Sequence, residues 1–422
     1  MLFSGAKVTI NSRKQNFSLF FRTFGINKLP YIKKMQIMCH LLRHIFLLIA
    51  LGIAGCNPKS APFDMEQFDS EVYKPQYASG FEIRSTAEGD ATLIVVKNPW
   101  QGAEGVEQML LIDPKQRFDA KQHPEVQRIT GPAERIVCLS SSHIAMLDAI
   151  DEVERTVGVS GIDFIMNEYI TANRSKIGDI GYDNNMNYEL LVALDADLVL
   201  LYGVSAENSI ESKLRELEIP YLYIGEYVES SPLGKAEWIV AVAEAIDLRA
   251  QGEECFNRIA DNYNALSERI AEHISGEKRP RAMINTPYRD AWVLPSENNY
   301  MARIISDAGG ECYTTPGEGN TSKPIDIEQA LLYAESADLW LNVGSCSTLQ
   351  ELTSQNPRFA EVKVVKDKKV YNNTARRTEG GGSDFWESGV VRPDIILKDL
   401  ATIFHPAMMG KEHTLYYYTR LN

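Results

Sequence analysis

The sequence predicts an α/β protein in which one long helix connects two lobes. Between Ala250 and Ile274, apolar residues recur at steps of three or four, which places them on one face of a helix of about 37 Å. On both sides of this segment, short apolar runs typical of buried strands alternate with runs typical of helices. From periodicity alone, an ordinary surface helix inside one large domain explains the pattern equally well.

The predicted helix, residues 250–274, has a defined apolar face and a defined end. Gly276 and Pro280 follow it, and both residue types disfavour continuation of a helix. We expect this helix to fix the distance between the lobes. Its apolar face consists of Phe256, Ile259, Tyr263, Leu266, Ile270 and Ile274.

The N-terminus has the features of an export signal. Lys33, Lys34 and Arg43 precede the apolar run 45–53, which is too short to span a bilayer. Small residues then precede a cysteine. Residues 1–55 are therefore predicted to be a signal peptide that is removed from the mature protein.

The end of this segment indicates lipidation. Residues 53–56, Ile-Ala-Gly-Cys, resemble a bacterial lipobox, which implies that Cys56 carries a lipid and begins the mature chain. A plain secretory cleavage site is the alternative. Residues 56–73 are polar and predicted to be a tether. Residues 1–34 have little structural pattern, so translation from Met35 is a second possible start.

The mature chain is strongly acidic. Of 43 basic and 57 acidic residues, eight basic residues and no acidic ones lie in residues 1–56, which leaves a net charge of −22. Such a charge disfavours binding to nucleic acid or to an anionic membrane. It would suit a basic protein partner, although solubility alone explains an acidic surface as well.

Four cysteines remain after residue 56, and their spacing matches no zinc or iron–sulfur motif. In an oxidising compartment, Cys312 and Cys346 could form a disulfide in the second lobe. We favour buried free thiols for these two and for Cys138 and Cys255.

Residues 74–134 are predicted to form a β-hairpin extension that packs on the first lobe. Glycine and proline separate its strand-like runs. These runs are Phe81–Ile83, Ala91–Val96 and Gln108–Ile112.

Residues 135–249 and 279–406 are predicted to form two Rossmann-like lobes with mainly parallel sheets, and residues 407–422 a tail. Strands alternating with helices at these lengths require parallel pairing. The first-lobe strands are Ile136–Leu139, Thr156–Val159, Leu198–Tyr202 and Tyr221–Ile224, with helices at Ile210–Leu217 and Pro232–Ile246. The second-lobe strands are Arg281–Ile284, Leu339–Val343, Val362–Val365 and Lys369–Tyr371, with helices at Asn299–Ala308 and Asp394–Phe404.

A similar sequence pattern, called the internal echo below, occurs once in each lobe. In each, an acidic residue begins a short apolar helix, and Ala-Asp-Leu then leads into a strand. The acids are Glu189 in the first lobe and Glu328 in the second. The two spacings differ by two residues, so the echo suggests a repeat without proving one.

In their order and spacing, these segments resemble the class III substrate-binding proteins of ABC importers, which serve cobalamin, iron–siderophore complexes and haem. The resemblance covers roughly residues 135–406. It rests on Arg135-Ile-Val-Cys-Leu-Ser-Ser-Ser-His143, Val157-Gly-Val-Ser160, Met186-Asn-Tyr-Glu189, Leu194-Asp-Ala-Asp-Leu-Val199, Leu214-Arg-Glu-Leu-Glu-Ile-Pro220, Ala308-Gly-Gly310, Lys368-Lys-Val-Tyr371 and Arg392-Pro-Asp-Ile-Ile-Leu397.

The resemblance implies that a ligand binds in a cleft between the lobes, which close only slightly. It also implies that Glu189 and Glu328 dock onto arginines of the membrane permease. A charge pair at an interface mainly sets orientation and association rate. The alternative is that each carboxylate only interacts with the dipole of its own helix.

Cleft residues are expected in loops at the carboxyl ends of strands. A helix N-terminus after the first strand offers N–H groups to an anion, although serine capping explains the serines there equally well. For the aromatic residues the alternative is core packing, and for the arginines it is solvated surface charge. The predicted ligand-contacting residues are Ser141, Ser142, His143, Tyr182, Tyr202, Trp292, Arg376, Arg377 and Trp386.

The expected ligand is a metal chelate, namely an iron–siderophore, haem or cobalamin, delivered to a permease with its ATPase. Aromatic faces beside guanidinium groups suit a flat metal complex that bears carboxylate or catecholate groups. His143 or a tyrosine could ligate haem iron, Trp292 could stack on a corrin ring, and the arginines suit a ferric siderophore, so the ligand stays open. We expect a periplasmic, membrane-anchored monomer with no cofactor beyond its lipid and no metal site of its own.

No sequence motif indicates catalysis. The chain contains no His-Glu-x-x-His, no Gly-x-Ser-x-Gly and no P-loop, and Gly380–Gly382 lacks the context of a dinucleotide fingerprint. We therefore expect a binding protein and not an enzyme. A sensor or a structural lipoprotein with the same fold is the alternative, and a structural protein would show no ligand-induced rise in melting temperature.

Overall fold

A computed structural model of the chain describes residues 60–182, 185–203, 209–287, 291–317, 319–410 and 413–422. The predicted signal peptide and the predicted lipidation of Cys56 lie outside the described residues. Within the described ranges, no helix is both long enough and apolar enough to cross a membrane.

The strands that precede the first lobe are β1 (Ala61–Pro62), β2 (Ser70–Tyr73), β3 (Phe81–Ser85), β4 (Thr92–Lys97), β5 (Glu107–Ile112), β6 (Phe118–Asp119) and β7 (Val126–Ile129). Five of them form one sheet in the order β2-β3-β4-β5-β7, antiparallel except for the parallel pair β5 and β7. The three predicted strands are its centre, so the expected hairpin extension is part of a broader N-terminal sheet.

The N-terminal sheet is buried on both faces. Because successive side chains of a strand point to opposite sides, Leu93 and Ile94 of β4 enter different cores. Leu93 packs with Phe63 and Phe68 in a small core of its own, whereas Ile94 joins the main core of the lobes. The predicted tether over residues 56–73 is therefore wrong from residue 60 onwards, because Phe63 and Phe68 are buried.

Two buried carboxylates of the first lobe hold the segment between β2 and β3. Glu237 accepts hydrogen bonds from the backbone N–H groups of residues 76–78 at 2.6–2.8 Å. Glu229 accepts from those of residues 79–80 at 2.9–3.0 Å. Backbone donors that are partly removed from water need acceptors, and these two side chains supply them where no strand partner does. The N-terminal sheet is thereby fixed to the first lobe.

The first lobe contains, in chain order, β8 (Ile136–Cys138), α1 (Ser141–Ala149), β9 (Thr156–Val159), α2 (Glu168–Ala172), β10 (Gly178–Asp179), α3 (Tyr188–Ala193), β11 (Leu198–Leu201), α4 (Ser209–Glu216), β12 (Tyr221–Tyr223) and α5 (Pro232–Ala245). Its five strands pair in parallel in the order β10-β9-β8-β11-β12. This confirms the predicted parallel sheet, and the edge strand β10 is an addition to it.

Helix α6 (Arg249–His273) connects the lobes and confirms the predicted long helix, shifted by one residue. Phe256, Ile259 and Tyr263 are buried on the face that the periodicity predicted. The helix packs against α5 on one side and against the last long helix of the second lobe on the other. Gly252 permits the contact with α5, since a Cβ there would lie 2.5 Å from the Cβ of Ala243.

The second lobe contains β13 (Arg281–Ile284), β14 (Ala291–Pro295), α7 (Tyr300–Asp307), β15 (Glu311–Cys312), β16 (Ser322–Asp326), α8 (Ile327–Ser336), β17 (Leu339–Leu341), α9 (Leu349–Gln355), α10 (Lys363–Lys366), β18 (Val370–Asn372), α11 (Ser388–Val391), α12 (Pro393–Phe404), α13 (Pro406–Met409) and β19 (Thr419–Arg420). Its main sheet has the order β15-β13-β17-β18-β19 and is parallel except at β19. Strands β14 and β16 form a separate antiparallel ribbon.

The predicted strand Val362–Val365 is wrong, because residues 363–366 form helix α10. Val364 and Val365 are both buried there. A four-residue apolar run is too short to distinguish a buried strand from a buried turn of helix. Periodicity therefore could not assign the secondary structure of this segment.

The predicted tail, residues 407–422, belongs to the second lobe. Strand β19 pairs with β18, and the fully buried carboxylate of Asp399 accepts hydrogen bonds from the backbone N–H groups of residues 416–418 at 2.7–3.2 Å. His413 contacts the same carboxylate at 2.6 Å. The prediction of a separate tail is wrong because this one buried acid fixes the segment.

The four cysteines in the described residues are free. Cys138, Cys255 and Cys346 are buried, and Cys312 is half-buried. This confirms buried free thiols for Cys138, Cys255 and Cys346, whereas Cys312 is free but only half-buried.

Glu237→Ala tests the anchoring of the N-terminal sheet. The substitution removes a buried carboxylate that accepts three partly buried backbone hydrogen bonds, so we expect a loss of about 2–4 kcal/mol in the free energy of unfolding, measured by urea denaturation. Glu254→Ala, on the exposed face of α6, is the control and should change this free energy by less than about 0.5 kcal/mol. Equal effects of the two substitutions would contradict the anchoring role.

Candidate functional site

The carboxyl ends of the two parallel sheets face each other. Loops that follow strands of the first lobe contact loops of the second lobe at three points: Phe164 meets Gly382, Met166 meets Glu387, and Tyr227 meets Asn320. In open α/β sheets, ligands bind outside the carboxyl ends of the strands. The space between these loops, called the interlobe cleft below, is therefore the candidate site.

The glycine run of the second lobe is one of these contacts. A Cβ at Gly382 would lie 1.8 Å from the carbonyl oxygen of Phe164, and a Cβ at Gly380 would lie 2.5 Å from that of Asp163. Only glycine allows two backbones to approach this closely. The run Gly380–Gly382 therefore joins the lobes at one end of the interlobe cleft.

A buried carboxylate reinforces this end. Glu387, at the start of α11, accepts a hydrogen bond from the backbone N–H of Met166 at 2.8 Å. Burial raises the pKa of Glu387 from 4.5 to about 7. The negative charges of Asp384 and Asp148 also raise this pKa, whereas the backbone hydrogen bonds from Met166 and Asn167 lower it. The contact between the lobes therefore includes an acid that titrates near neutral pH.

The other end of the interlobe cleft involves the N-terminal sheet. The side chain of Asn320 donates to the carbonyl of Tyr227 at 2.6 Å, and Gln101 donates to the carbonyl of Asn320 at 2.9 Å. Gln101 lies in the loop between β4 and β5, where the neighbouring Trp100 ring lies 5.5 Å from the Tyr223 ring at the end of β12. The N-terminal sheet therefore contacts both lobes at this end.

A buried charged cluster lies beneath the cleft where α1, α5 and α7 approach one another. Lys235 pairs with Glu226 at 2.8 Å, Ser142 donates to Glu226 at 2.8 Å, and the Lys235 ammonium lies 4.9 Å from the centre of the Tyr300 ring. Burial would raise the pKa of Glu226, but the charge and hydrogen bond of Lys235 hold it below its usual value. We call these residues, with His143, the Glu226 cluster.

His143 is fully buried in this cluster. Neither ring nitrogen has a hydrogen-bond partner among the described residues. Burial lowers the pKa of His143 to about 4, against the charge of Glu226 and a weak interaction with the Leu200 backbone, so the ring is neutral at neutral pH. The prediction that His143 lines the cleft is wrong for this conformation, because no part of its side chain reaches the surface.

The other predicted residues of the first lobe occupy different positions. Ser140, and not one of the predicted serines, caps α1; Ser141 is half-buried in its first turn, and Ser142 is buried against Glu226. Tyr182 is exposed and lies 5.9 Å from Phe164, edge to face, near the glycine run. Tyr202 directly follows β11 and is half-buried.

Trp292 does not face the cleft. It is fully buried, its indole N–H donates to the carbonyl of Ile284 at 2.9 Å, and its ring stacks on Trp340 with centroids 5.3 Å apart. The prediction of a ligand contact is therefore wrong. The sequence suggested it only by its place in the second lobe, and the β14–β16 ribbon turns this face of β14 towards the core.

The structure separates Arg376, Arg377 and Trp386. Arg376 pairs with Asp384 at 2.5 Å and lies over the Tyr416 ring at 4.5 Å, so its charge is already compensated. Arg377 is exposed and donates to a backbone carbonyl of its own lobe at 3.2 Å. Trp386 is 49% exposed and lines a narrow cavity together with Lys235 of the Glu226 cluster.

Glu189 and Glu328 are both exposed in the first turn of a helix, α3 and α8 respectively. Each helix leads into the strand next to the first strand of its lobe, so the internal echo is present in the fold. Glu328 forms a bidentate pair with Arg358 at 2.6 Å. No ion pair involves Glu189 among the described residues.

Sequence reasoning missed the residues that join the lobes. Lys235 carried a usable signal, since it is a lysine within an otherwise apolar predicted helix. Tyr300, Asn320 and Glu387 carried none, because a tyrosine, an asparagine or a glutamate near a loop is common on any surface. Their positions follow from how the lobes meet, which local patterns do not encode.

The family profile described as periplasmic binding protein matches residues 136–376, more than half of the chain. The chain belongs to the periplasmic-binding-protein family. Members of this family bind ligands and are not enzymes, in agreement with the absence of catalytic motifs. The match begins at β8, so the N-terminal sheet lies outside it.

Individual relatives agree with this assignment. An uncharacterized lipoprotein of Methanocaldococcus jannaschii is 26% identical over 296 residues, which cover 67% of this chain and 68% of the relative. A periplasmic heme binding protein from Pseudomonas aeruginosa has a TM-score of 0.53 at 15% identity, covering 69% of this chain and 98% of its own. A periplasmic binding protein from Veillonella parvula has a TM-score of 0.51 at 14% identity, and the match covers 72% of this chain and 95% of the Veillonella parvula chain. These solved structures establish the fold.

Lys235→Met tests the Glu226 cluster of this periplasmic binding protein. It leaves the Glu226 carboxylate buried without a cation, so we expect a loss of about 3–5 kcal/mol in the free energy of unfolding. The double substitution Lys235→Met with Glu226→Gln removes both charges and should recover most of this loss in urea denaturation. Equal losses in the single and double variants would contradict the pairing.

Glu387→Gln tests the titrating contact between the lobes. Because the folded pKa is raised from 4.5 to about 7, the contribution of Glu387 to stability is fully present below pH 4.5 and is lost as pH rises through 7. The loss is of the order of 3 kcal/mol. We expect the variant to lack this part of the pH dependence, measured as unfolding free energy from pH 4 to pH 8. Parallel profiles for the variant and the original protein would contradict the raised pKa.

Proposed function

We propose that this periplasmic binding protein is the extracytoplasmic, lipid-anchored receptor of an ABC importer. It captures a metal chelate in the interlobe cleft and delivers it to the permease. The observation that carries the proposal is the arrangement of two parallel sheets whose carboxyl ends face each other across contacts at both ends of the cleft. A ligand held between two lobes can be recognised by both and released when they separate.

The proposed ligand is a metal chelate, that is, an iron–siderophore, haem or cobalamin. Tyr182, Phe164 and Trp386 are exposed aromatic residues near the contacts between the lobes, and Arg377 supplies an exposed cation in the same loop region as the glycine run. Aromatic faces and a guanidinium group suit such a complex. The name of the Pseudomonas aeruginosa neighbour, a heme binding protein, supports this class.

Ser141, Tyr182, Tyr202, Arg377 and Trp386 are the proposed ligand contacts among the residues that the sequence singled out. Tyr182, Arg377 and Trp386 are exposed, and Ser141 and Tyr202 are half-buried. Each of the five residues follows a strand or precedes a helix at the cleft. Arg376 has a weaker claim because Asp384 already compensates its charge.

The proposed permease contacts are Glu189 and Glu328. Helices α3 and α8 run back towards the amino ends of the strands that follow them, so their first turns lie on the cleft side of each lobe. The single helix α6 limits how far these two acids can move apart. On docking, Glu328 would exchange Arg358 for a permease arginine, and until then the pair with Arg358 keeps this acid oriented.

The proposed location is outside the cytoplasm, with the lipid on Cys56 as the membrane anchor. The lipobox-like residues 53–56 support this, and the Methanocaldococcus jannaschii relative is itself named a lipoprotein. The protein acts as a monomer in this proposal, with the permease and its ATPase as partners.

Glu189→Ala with Glu328→Ala tests the docking role. We expect uptake of isotope-labelled chelate by intact cells to fall by about tenfold or more, with ligand affinity of the purified protein unchanged, because the acids act on the permease and not on the ligand. The control is Glu154→Ala with Glu311→Ala, one exposed acid per lobe at the opposite, amino edge of each sheet. Unchanged uptake in the first double variant would reject the docking role.

Arg377→Ala tests the ligand class. Loss of a charge-assisted hydrogen bond should weaken binding of an anionic chelate about tenfold. The measurement is titration of the purified protein with haemin, cyanocobalamin and a ferric catecholate siderophore, followed by tryptophan fluorescence. Arg269→Ala, an exposed arginine on α6, is the control. A sensor would bind equally well but support no uptake, whereas a structural lipoprotein would bind none of the three.

A further inference from the structure

A second cavity lies on the side of the second lobe opposite the interlobe cleft. It has a volume of about 450 Å³. Pro280, Asp338 and Lys369 line it, and these residues directly precede β13, β17 and β18. The cavity is therefore at the amino edge of the sheet, whereas the cleft is at the carboxyl edge. We call it the basal cavity.

The basal cavity is basic in an acidic protein. Lys278, Arg279, Lys369 and Arg420 line it, with Asp338 as its one acid. Asp338 accepts a hydrogen bond from the backbone N–H of Arg281 at 2.9 Å. The whole chain has a net charge of −14, so four cations around one cavity are a local reversal of its charge.

None of these four cations forms an ion pair with a carboxylate in the described part of the chain. The nearby Asp367 carboxylate pairs with Lys363 at 2.7 Å, and Arg420 donates to the backbone carbonyl of Lys368 at 2.6 Å. Arg279 donates to the Ser306 carbonyl, while its buried Nε has no acceptor among the described residues.

Apart from Tyr371, the remaining lining is apolar. Leu339, Ile403, Phe404 and Pro406 form part of the wall. Ligand pockets typically have volumes of about 300–1,000 Å³ and combine an apolar lining with a few charged groups. The basal cavity has the size and composition of such a pocket.

We propose that the basal cavity binds a multivalent oxyanion, that is, a small molecule or headgroup with phosphate or carboxylate oxygens. Arg279 and Arg420 offer planar guanidinium donors to these oxygens, and Lys278 and Lys369 add charge at the rim. The site is separate from ligand capture in the interlobe cleft and does not depend on it. The bound oxyanion is either a free anion or the phosphate of a lipid headgroup at the membrane.

The test is isothermal titration calorimetry of the mature protein with pyrophosphate and with citrate at low salt. A parallel arm measures co-sedimentation with phosphatidylglycerol vesicles. The variant is Lys278→Gln with Lys369→Gln, two exposed substitutions that leave the core intact. The matched control is Lys74→Gln with Lys121→Gln, two exposed lysines of the N-terminal segment with the same loss of charge.

We expect the basal-cavity variant to weaken binding at least tenfold while the control binds like the original protein. Loss in the pyrophosphate or citrate arm identifies a free anion, and loss in the vesicle arm identifies a lipid headgroup. No binding of any probe by the original protein would overturn the proposal. Equal weakening in variant and control would overturn it as well, since it would show only a response to net charge.

Discussion

Helix α6 is the constraint on which the rest of the structure depends. It is a continuous helix of 25 residues that packs against α5 of the first lobe and α12 of the second. Gly252 brings its backbone close enough to α5 for helix and lobe to pack as one unit. Because a helix does not lengthen or bend easily, α6 fixes where the two parallel sheets can lie, and their carboxyl ends meet across the interlobe cleft.

Buried carboxylates then secure the parts that the two sheets leave unpaired. Glu237 and Glu229 hold the N-terminal sheet, Asp399 holds the C-terminal strand, and Glu387 joins the lobes at one end of the cleft. In each case a buried acid accepts backbone N–H groups for which no strand or helix partner exists. Glu237, Glu229 and Asp399 stabilise the fold in this way, and Glu387 fixes the geometry of the site.

Repetitive structure could be predicted from the sequence, and contacts between distant segments could not. Periodicity located α6 and the strands β8, β9, β11, β12, β13, β17 and β18, because burial of one face repeats along the chain, but it mistook helix α10 for a strand. It failed for residues 407–422 and for Trp292, since their burial depends on Asp399 and on the β14–β16 ribbon. Of the predicted ligand residues, Tyr182 and Trp386 are exposed and His143 is not, a distinction that no local pattern carries.

The central claim is that a chelate occupies the space between the lobes. The most direct measurement is the absorbance spectrum and native mass of the protein, purified from the cells that make it without added ligand. Capture of a chelate predicts a corrin, haem or ferric catecholate band and a mass increase equal to one such molecule. A featureless spectrum, a mass equal to the protein alone and no response to added haemin, cyanocobalamin or ferric siderophore would contradict it.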